Sequence, residues 1–358
     1  MGNLGKAADD LLEFALGFSV VTLSERDLDG NDASLSGREL GGRYRMLERI
    51  GGGSAAEVYE AAVLTTGQHV AIKVLRKELL GRTEFVRRFY REARAASLLS
   101  HANVVRVIEL AEDPEAELLF IVMELLDGGT VGGWLEGLSE PPPLRDVEAV
   151  MMSLVEAFEA AHAAGIVHRD LKPDNLFIQR AGEEIVGVKV LDFGLARVPD
   201  PDDAGSTLTR PDSFGGTPEY MSPEQCKSLR VGPSTDLYAM GCLLTELLQL
   251  KAPFENGTIS EIMARQMFLP PPPLRRPANA PPVPAALERL RLDLLAKDPS
   301  LRPQDAAEVK RRLREAFAQG QAREDGEQAE APVEESRSGD PSSLTGRLKW
   351  LLRRLKSE

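Results

Sequence analysis

Cysteine, histidine and aromatic residues are scarce in this chain. Its 358 residues include only two cysteines and four histidines, and aromatic residues make up 5%. Two cysteines exclude a disulfide framework and fit a reducing compartment, so the sequence predicts a cytoplasmic protein. So few thiols and imidazoles also argue against a structural zinc cluster.

Long apolar runs and an excess of positive charge are lacking as well. No stretch approaches the roughly 18 consecutive apolar residues of a membrane-spanning helix, and Glu13 interrupts the N-terminal apolar stretch at 11–21. Neither a membrane span nor a secretory signal is therefore predicted. Lysine and arginine total 43 against 56 acidic residues, a net charge of −13. Because nucleic-acid phosphates need a basic surface, we expect no nucleic-acid partner.

The chain divides by composition and pattern into four parts. Residues 1–42 end in a stretch rich in Ser, Asp, Asn and Gly, which indicates an extension and a linker. Regular hydrophobic patterning spans 43–318. Residues 319–343 are rich in Gly, Glu, Asp, Ser and Pro, and predict a disordered acidic linker. Residues 344–358 carry leucines at helical spacing among lysines and arginines, and predict a basic amphipathic helix.

Within the patterned part, strand signals come first and helix signals follow. The main strand predictions are 44–50, 57–63, 69–74, 104–109 and 118–123. The main helix predictions are 84–100, 146–164, 233–250 and 284–296. This order favours an α+β build with a small β-rich lobe at about 43–126 and a larger, mainly α-helical lobe at about 127–318.

A glycine-rich turn and a lysine in an apolar strand are the first signs of chemistry. The turn IGGGSAAEV at 50–58 would let backbone N–H groups approach a phosphate, although a plain hairpin turn fits this segment alone equally well. Lys73 ends the apolar segment VAIK, where an unpaired charge is costly to bury, so a carboxylate or phosphate partner is predicted. Taken alone, the segment also fits a strand whose lysine faces solvent. Glu92 on the following helix is the obvious carboxylate, and Glu84 at the exposed helix start is its alternative.

Three motifs then follow in a fixed order. They are HRDLKPDN at 168–175, DFG at 192–194 and SPE at 222–224. With the glycine-rich turn and Lys73, they resemble a eukaryotic-like (Hanks-type) serine/threonine protein kinase of bacterial type, over residues 43 to about 317. The resemblance implies a bilobal protein kinase fold, ATP and Mg²⁺ as cofactors, and protein substrates phosphorylated on Ser or Thr, including this chain itself, in signalling.

The same resemblance implies the residues at the point of transfer. Asp170 would orient the acceptor hydroxyl and take its proton. Lys172 would offset charge on the transferred phosphoryl group, and Thr217 would help to shape the acceptor site. A lysine at position 172 is similar to the Ser/Thr branch of the family rather than the tyrosine kinases.

Nucleotide and metal ligands are implied in the same way. Lys73 would hold the α- and β-phosphates, Glu92 would position Lys73, and Asn175 and Asp192 would bind magnesium. The other residues implied for the nucleotide are Ile50, Gly51, Gly52, Gly53, Ser54, Val58, Ala71, Met123, Glu124 and Leu126. Ala56 stands where the family has a third glycine, and we expect a less flexible loop that still binds ATP.

Several residues are expected to support the site without touching substrate. His168 would be buried below the DFG turn, Asp236 would brace the loop that carries Asp170, and Arg302 would pair with Glu224. The remaining histidines are expected at the surface or in packing. Arg169 would receive a phosphate placed on Thr207 or Thr209.

Alternatives stay open at two points. A non-catalytic, nucleotide-responsive scaffold is the competing function, but it would need one of the four residues at 73, 170, 175 and 192 to be absent, and all are present. A kinase of small molecules is disfavoured by the complete SPE segment. Residues 344–356 fit contact with a membrane surface, docking on a partner protein, docking on the chain itself, or a free helix.

Overall fold

The computed structural model describes residues 35–192, 217–277 and 280–330, with the backbone alone for 320–330. The predicted N-terminal extension up to residue 34, the sites Thr207 and Thr209, and the basic segment at 344–358 lie outside these residues. Phe193 and Gly194 of the DFG motif do so as well.

Six antiparallel strands form the sheet of the small lobe, in the order β1-β2-β3-β4-β6-β5. They are β1 (Glu39–Leu40), β2 (Tyr44–Gly52), β3 (Ala56–Val63), β4 (His69–Leu75), β5 (Val107–Asp113) and β6 (Leu118–Glu124). Alternating side chains of the central strands, such as Ile72 and Phe120, are buried in one cluster on one face. The opposite face packs against α1 (Thr83–Leu98) through Phe89 and Ala93.

Strand β5 lies later in the chain than the sequence predicts. The prediction of 104–109 was wrong at both ends, because β5 spans Val107–Asp113. Val104 instead forms an isolated bridge with Val190, and the Val105 N–H donates to the Val190 carbonyl at 3.0 Å. A short apolar run is compatible both with a place in the sheet and with an isolated bridge to Val190. Periodicity alone could therefore not decide where the strand begins.

The large lobe is mainly helical and carries one small sheet. Its helices are α2 (Val131–Glu136), α3 (Leu144–Ala163), α4 (Pro223–Cys226), α5 (Pro233–Gln249), α6 (Ile259–Phe268), α7 (Ala285–Leu294) and α8 (Ala306–Glu330). Its two strands, β7 (Leu176–Ala181) and β8 (Glu184–Val190), are antiparallel. No described helix is both long and apolar enough to cross a membrane.

Helix α5 is the centre of the large lobe. It is buried on nearly all sides, as expected for a helix whose apolar residues are not confined to one stripe. A Cβ added to Gly241 would lie 2.9 Å from the Leu294 Cβ and 3.0 Å from the Leu295 Cγ. Glycine at this position therefore permits close contact between α5 and the end of α7.

Helix α8 ends later in the chain than the sequence predicts. Composition predicts disorder from residue 319, whereas the helix continues to Glu330. Val309 and Leu313 are buried in the main core, which anchors the first turns. The stretch after them is rich in Ala, Gln, Arg and Glu, residues whose helix propensity lets an anchored helix continue. Residues 331–343 lie outside the described part of the chain.

Candidate active site

The glycine-rich turn is the tip of the β2–β3 hairpin. Gly51 pairs with Val58, Gly52 pairs with Glu57, and the Gly53 N–H donates to the Ala56 carbonyl at 2.8 Å. Gly52 has φ 153°, and a Cβ there would lie 3.1 Å from the Ala56 carbonyl oxygen. Only glycine fits this conformation without strain. Gly53 and Ser54 at the tip are exposed.

Ala56 replaces glycine at the base of this hairpin for a reason visible in the packing. Its side chain is buried with Leu75 and Phe89, between the sheet and α1. The methyl group therefore fixes the base of the loop to the core, while the exposed tip retains its glycines.

Strand register brings the predicted nucleotide residues together. Val58 on β3 lies opposite Lys73 on β4, and Ala71 lies opposite Met123 on β6. Ile50, near the end of β2, is 46% exposed, so its apolar side chain is accessible to a bound molecule. These residues lie on adjacent strands beside the glycine-rich turn, so they can form one continuous wall.

Glu124 ends β6 at the connection between the lobes. Its carboxylate accepts hydrogen bonds from the Lys189 Nζ at 2.7 Å and from the Arg106 N–H at 2.8 Å. Lys189 lies on β8, so this side chain links the connection to the large lobe. Sequence reasoning missed Lys189, because no local motif marks it. Leu126, two residues later, is half-buried.

Lys73 contacts two carboxylates at once. Its Nζ lies 2.5 Å from the Glu92 Oε1 and 2.5 Å from the Asp192 Oδ1. Glu92 is the partner predicted from the sequence, whereas Glu84 pairs with Arg82 at the start of α1. Asp192 is the first residue of the DFG motif and follows β8 closely, so this contact joins the small lobe to the large lobe.

Desolvation disfavours the charged form of Lys73, Glu92 and Asp192, and the charges next to each group decide the direction of its pKa shift. Burial acts to lower the pKa of Lys73, but Asp192 and Glu92 outweigh it and the pKa is raised. Burial acts to raise the pKa of Asp192, but Lys73 outweighs it and the pKa is lowered. Burial raises the pKa of Glu92, and Asp192 adds to that shift while Lys73 opposes it. Asp192 therefore carries the negative charge more readily than Glu92.

Two residues of the cleft fit a magnesium ion by their chemistry. The Asn175 Nδ2 donates to the Asp170 carbonyl at 2.8 Å, which leaves the amide oxygen of Asn175 as its metal-binding atom. The Asp192 side chain is 46% exposed, so a cation can reach it. Magnesium is commonly held by one or two protein oxygens together with substrate phosphates. Across the described residues no cluster of three His, Cys, Asp or Glu could hold a metal alone.

Asp236 holds the loop that carries Asp170. Its carboxylate accepts hydrogen bonds from the backbone N–H of His168 at 3.0 Å and of Arg169 at 2.9 Å. This geometry confirms the prediction that Asp236 braces the loop. The His162 Nε2 contacts the same carboxylate at 2.8 Å, a role the sequence did not reveal. Arg169 has φ 69°, a conformation that non-glycine residues adopt only when their surroundings impose it.

His168 is fully buried below this loop, as predicted. Its Nε2 lies 3.2 Å from the Leu191 carbonyl, and the Asp170 N–H donates to its Nδ1 at 3.2 Å. The imidazole therefore connects Asp170 to the residue before Asp192. Both ring nitrogens are engaged in these contacts, so His168 is a positioning residue.

The acceptor side of the cleft contains Asp170, Lys172 and Thr217. The Lys172 Nζ donates to the Thr217 Oγ1 at 3.4 Å, across 45 residues of sequence. Burial raises the pKa of Asp170, while Lys172 and His168 oppose that shift. All three residues are half-buried, so they remain within reach of a bound molecule.

A buried ion pair anchors the segment after Thr217. Arg302 binds Glu224 through two hydrogen bonds of 2.7 and 2.8 Å, which confirms the predicted pair. Next to Glu224, the Gln225 Nε2 donates to the Arg169 carbonyl at 2.8 Å. This bond joins the segment to the loop of Asp170. Sequence reasoning passed over Gln225, although it directly follows the SPE motif.

The family model described as a protein kinase domain matches residues 44–313. The chain belongs to this family. The fold described above, a β-sheet small lobe followed by a helical large lobe, confirms the predicted fold class. The family match, together with the similar bacterial kinases, also confirms the resemblance to bacterial Hanks-type kinases drawn from the motifs.

Curated bacterial proteins are similar over the same part of the chain. The serine/threonine-protein kinase pkn3 of Myxococcus xanthus is 39% identical over 77% of this chain and 50% of its own length. Pkn1 of the same organism is 38% identical, over 78% of this chain and 39% of its own length. PrkC of Bacillus subtilis is 36% identical, over 79% and 42%. The match thus spans half or less of each relative.

Proposed function

We propose that this protein is a serine/threonine protein kinase that uses ATP and Mg²⁺. One observation supports this most strongly. Lys73, Glu92 and Asp192 form one charged cluster, and a loop held by Asp236 carries Asp170 beside it. The similar bacterial proteins are named serine/threonine-protein kinases, which agrees with this activity.

The proposed residues divide the chemistry between binding and proton transfer. Lys73 binds the α- and β-phosphates, and Glu92 keeps its ammonium group in place. Asn175 and Asp192 would hold magnesium, which supplies charge neutralisation on the phosphates when bound. Phosphoryl transfer needs positioning and electrostatic stabilisation more than covalent help, and this set offers both.

Asp170 and Lys172 act at the acceptor. The acceptor oxygen forms a bond to the γ-phosphorus, the bond between that phosphorus and the β,γ-bridging oxygen breaks, and the hydroxyl proton passes to Asp170. Lys172 offsets the negative charge of the moving group. The hydrogen bond from Lys172 to Thr217 supports an acceptor site shaped for the short side chains of Ser and Thr.

Autophosphorylation belongs to the same proposal. A phosphate on Thr207 or Thr209 would add about −1.5 to −2 charge and pair with Arg169, in line with a signalling role. Peptide mapping of the active protein tests this, and an active protein without phosphate at 206–213 contradicts it.

The proposal extends to the location and the partners of the protein. The low cysteine content favours a cytoplasmic protein, and proteins are the expected substrates. For the basic segment 344–356, contact with an anionic membrane surface and docking on a partner protein remain two alternatives. Co-sedimentation with anionic vesicles separates them, since only the first predicts binding.

The test of the activity compares wild type with Asp170→Asn. Both proteins are given labelled ATP, magnesium and a generic basic protein acceptor, and phosphoamino acids are analysed. We expect label on Ser or Thr with wild type and about 10²–10⁴-fold slower labelling with the variant. Equal labelling by both contradicts the role of Asp170. No labelling by either, with ATP still bound, favours the scaffold alternative.

A further inference from the structure

A run of four prolines follows helix α6. It occupies residues 270–273 and continues into Leu274 and Arg275. Proline fixes φ at about −65° and has no backbone N–H, so such a run favours the extended polyproline II conformation over a helix or a strand ladder. Residues 270–277 accordingly form neither helix nor strand. Leu269, directly before the run, already has extended geometry, with φ −90° and ψ 138°.

One side of the proline run is attached to the large lobe. The Pro272 carbonyl accepts a hydrogen bond from the Nη2 of Arg291 on α7, at 3.2 Å. The Arg275 N–H donates to the Oε1 of Gln249, the last residue of α5, at 2.8 Å. Between these two bonds, Leu274 packs against the main core. The segment is therefore held in its extended conformation before any partner arrives, which lowers the entropic cost of binding.

The other side of the run is exposed. Polyproline II has three residues per turn, so residues three apart lie on the same edge. Pro270 and Pro273 are exposed, whereas the two prolines between them are half-buried. Directly before the run, Phe268 is 70% exposed and Leu269 is 49% exposed. The exposed edge thus continues an apolar surface that begins at the end of α6.

Arg275 adds a positive charge to this edge. It is exposed, and within the described part of the chain its guanidinium makes no ion pair. The next residue, Arg276, is instead directed inward, since its guanidinium donates to the Pro281 carbonyl and its Nε is buried. Of these two arginines, Arg275 is the one that a carboxylate of another molecule can reach. We call Pro270, Pro273 and Arg275 together the proline ridge.

We infer that the proline ridge binds a partner protein through an SH3-type domain, whose groove is lined by aromatic side chains and has carboxylates at one end. Such grooves recognise the pattern P-x-x-P in the polyproline II conformation. Residues 270–275 present this pattern and follow it with an arginine. The aromatic side chains would contact the two prolines of the ridge, and the carboxylates would pair with Arg275. A merely acidic surface would match Arg275 but would leave the exposed prolines without a contact.

Titration of purified SH3 domains into the full-length protein tests the inference. The domains chosen have carboxylates at one end of the aromatic groove, and fluorescence anisotropy of the labelled domain reports binding, without ATP. We expect saturable binding to wild type. Arg275→Glu should weaken it about tenfold or more, because the new carboxylate faces those of the groove. Pro270→Ala/Pro273→Ala should weaken it to a similar extent, because the contacts with the aromatic side chains are lost.

Two matched variants control for position and charge. Pro277→Ala changes an exposed proline of the same loop outside the ridge. Arg38→Glu reverses an exposed charge on the small lobe. Both should bind the SH3 domains as wild type does. All variants should phosphorylate a generic basic protein at the wild-type rate, because no residue of the ridge belongs to the proposed catalytic site. Tm measurements confirm that each variant is folded.

The outcomes are independent of the proposed kinase function, because the binding assay contains no ATP. Absence of binding to every SH3 domain in the set overturns the inference and leaves the proposed activity untouched. Binding that both ridge variants retain also overturns it, since the contact then lies elsewhere. Equal weakening by Arg38→Glu and Arg275→Glu overturns it as well, because the attraction would then depend on overall charge rather than on the ridge.

Discussion

The charged clusters around Arg302 and Lys73 both contain a basic side chain paired with carboxylate, but their surroundings differ. Arg302 is 0% exposed and Glu224 is 7% exposed, and both oxygens of the carboxylate bind the guanidinium. Arg302 also donates to the Ser234 and Ala296 carbonyls at 2.7 and 2.9 Å, and the Thr235 hydroxyl donates to Glu224. This pair is enclosed, balanced in charge and hydrogen-bonded on all sides.

Lys73 has a different environment. One ammonium group contacts two carboxylates, and the Asp192 side chain is 46% exposed. The cluster therefore carries excess negative charge and is open on one side. A balanced, enclosed pair fixes two segments together, whereas an unbalanced, open cluster can exchange partners with an incoming ligand. This difference separates the anchor around Arg302 from the proposed binding site around Lys73.

Breaking the enclosed pair should have the largest effect. In Arg302→Met, Glu224 loses its partner in a buried position, and we expect a loss of about 3–5 kcal/mol in the free energy of unfolding. Urea denaturation measures this loss. The double variant Arg302→Met/Glu224→Leu should regain much of it, because no buried charge is then left alone. A single variant as stable as wild type contradicts the account of the pair.

Breaking the open cluster should reduce transfer rather than stability. In Lys73→Met we expect kcat/KM to fall by about 10²–10³, which is about 2.7–4 kcal/mol of transition-state stabilisation. Stability should change little, because Asp192 is accessible to water and the raised pKa of Glu92 lets it take up a proton. Steady-state kinetics and urea denaturation on the same preparation test both expectations. A large loss of stability would show that Lys73 is also an anchor.

Asp236 shares a feature with each cluster. It is buried, like Arg302, but it acts on the proposed site, because it holds the loop of Asp170. In Asp236→Asn, one acceptor of the N–H groups of His168 and Arg169 is replaced by a donor. We expect kcat to fall by about 10–100-fold, with the affinity for nucleotide unchanged. Single-turnover rates and equilibrium titration separate the two quantities. An equal fall in affinity would show that the variant disturbs the whole cleft.

The pH dependence of transfer tests the titration of Asp170. Its protonated form cannot accept the hydroxyl proton, so kcat/KM should fall up to about tenfold per pH unit as pH drops below its pKa. Burial raises this pKa above the ordinary value of 3.8, which moves the acid limb to higher pH. The residual rate of Asp170→Asn should lack this limb. An acid limb at or below 3.8 contradicts the raised pKa.

An exposed pair provides the smallest effect. Arg45 lies 3.0 Å from Glu39, and both side chains are more than half exposed. We expect Arg45→Gln to change the free energy of unfolding by less than about 1 kcal/mol. A loss as large as that of Arg302→Met would mean that burial does not explain why ion pairs contribute differently to stability.

The sequence was sufficient where the chemistry lies in contiguous motifs. The contacts of Lys73 with Glu92, of Asp236 with the loop of Asp170, and of Arg302 with Glu224 were all predicted and are present. One side of each contact lies in a recognisable motif. The helix after VAIK offered Glu92 as the partner of Lys73, and the resemblance to the kinase family implied the roles of Asp236 and Arg302.

Contacts that depend on three-dimensional convergence were not predictable in this way. Glu124 and Lys189 lie 65 residues apart in the sequence, and no motif links them, yet their side chains form a hydrogen bond. Likewise, His162 was expected only at the surface or in packing, although it contacts the carboxylate of Asp236. The predicted bounds of β5 were wrong for another reason: β-branched residues suit a strand in either pairing, so they do not show which residues pair.

The most direct test of the comparison is the rise in Tm on adding ATP and magnesium. We expect a clear rise for wild type, since a ligand at about 100 times its Kd adds about 2.7 kcal/mol of stability. Arg302→Met should start from a lower Tm and show a similar rise, whereas Asp192→Asn should start near wild type and show a much smaller one. A wild-type rise in Asp192→Asn, or its loss in a folded Arg302→Met, would contradict the distinction between an open binding cluster and an enclosed anchor.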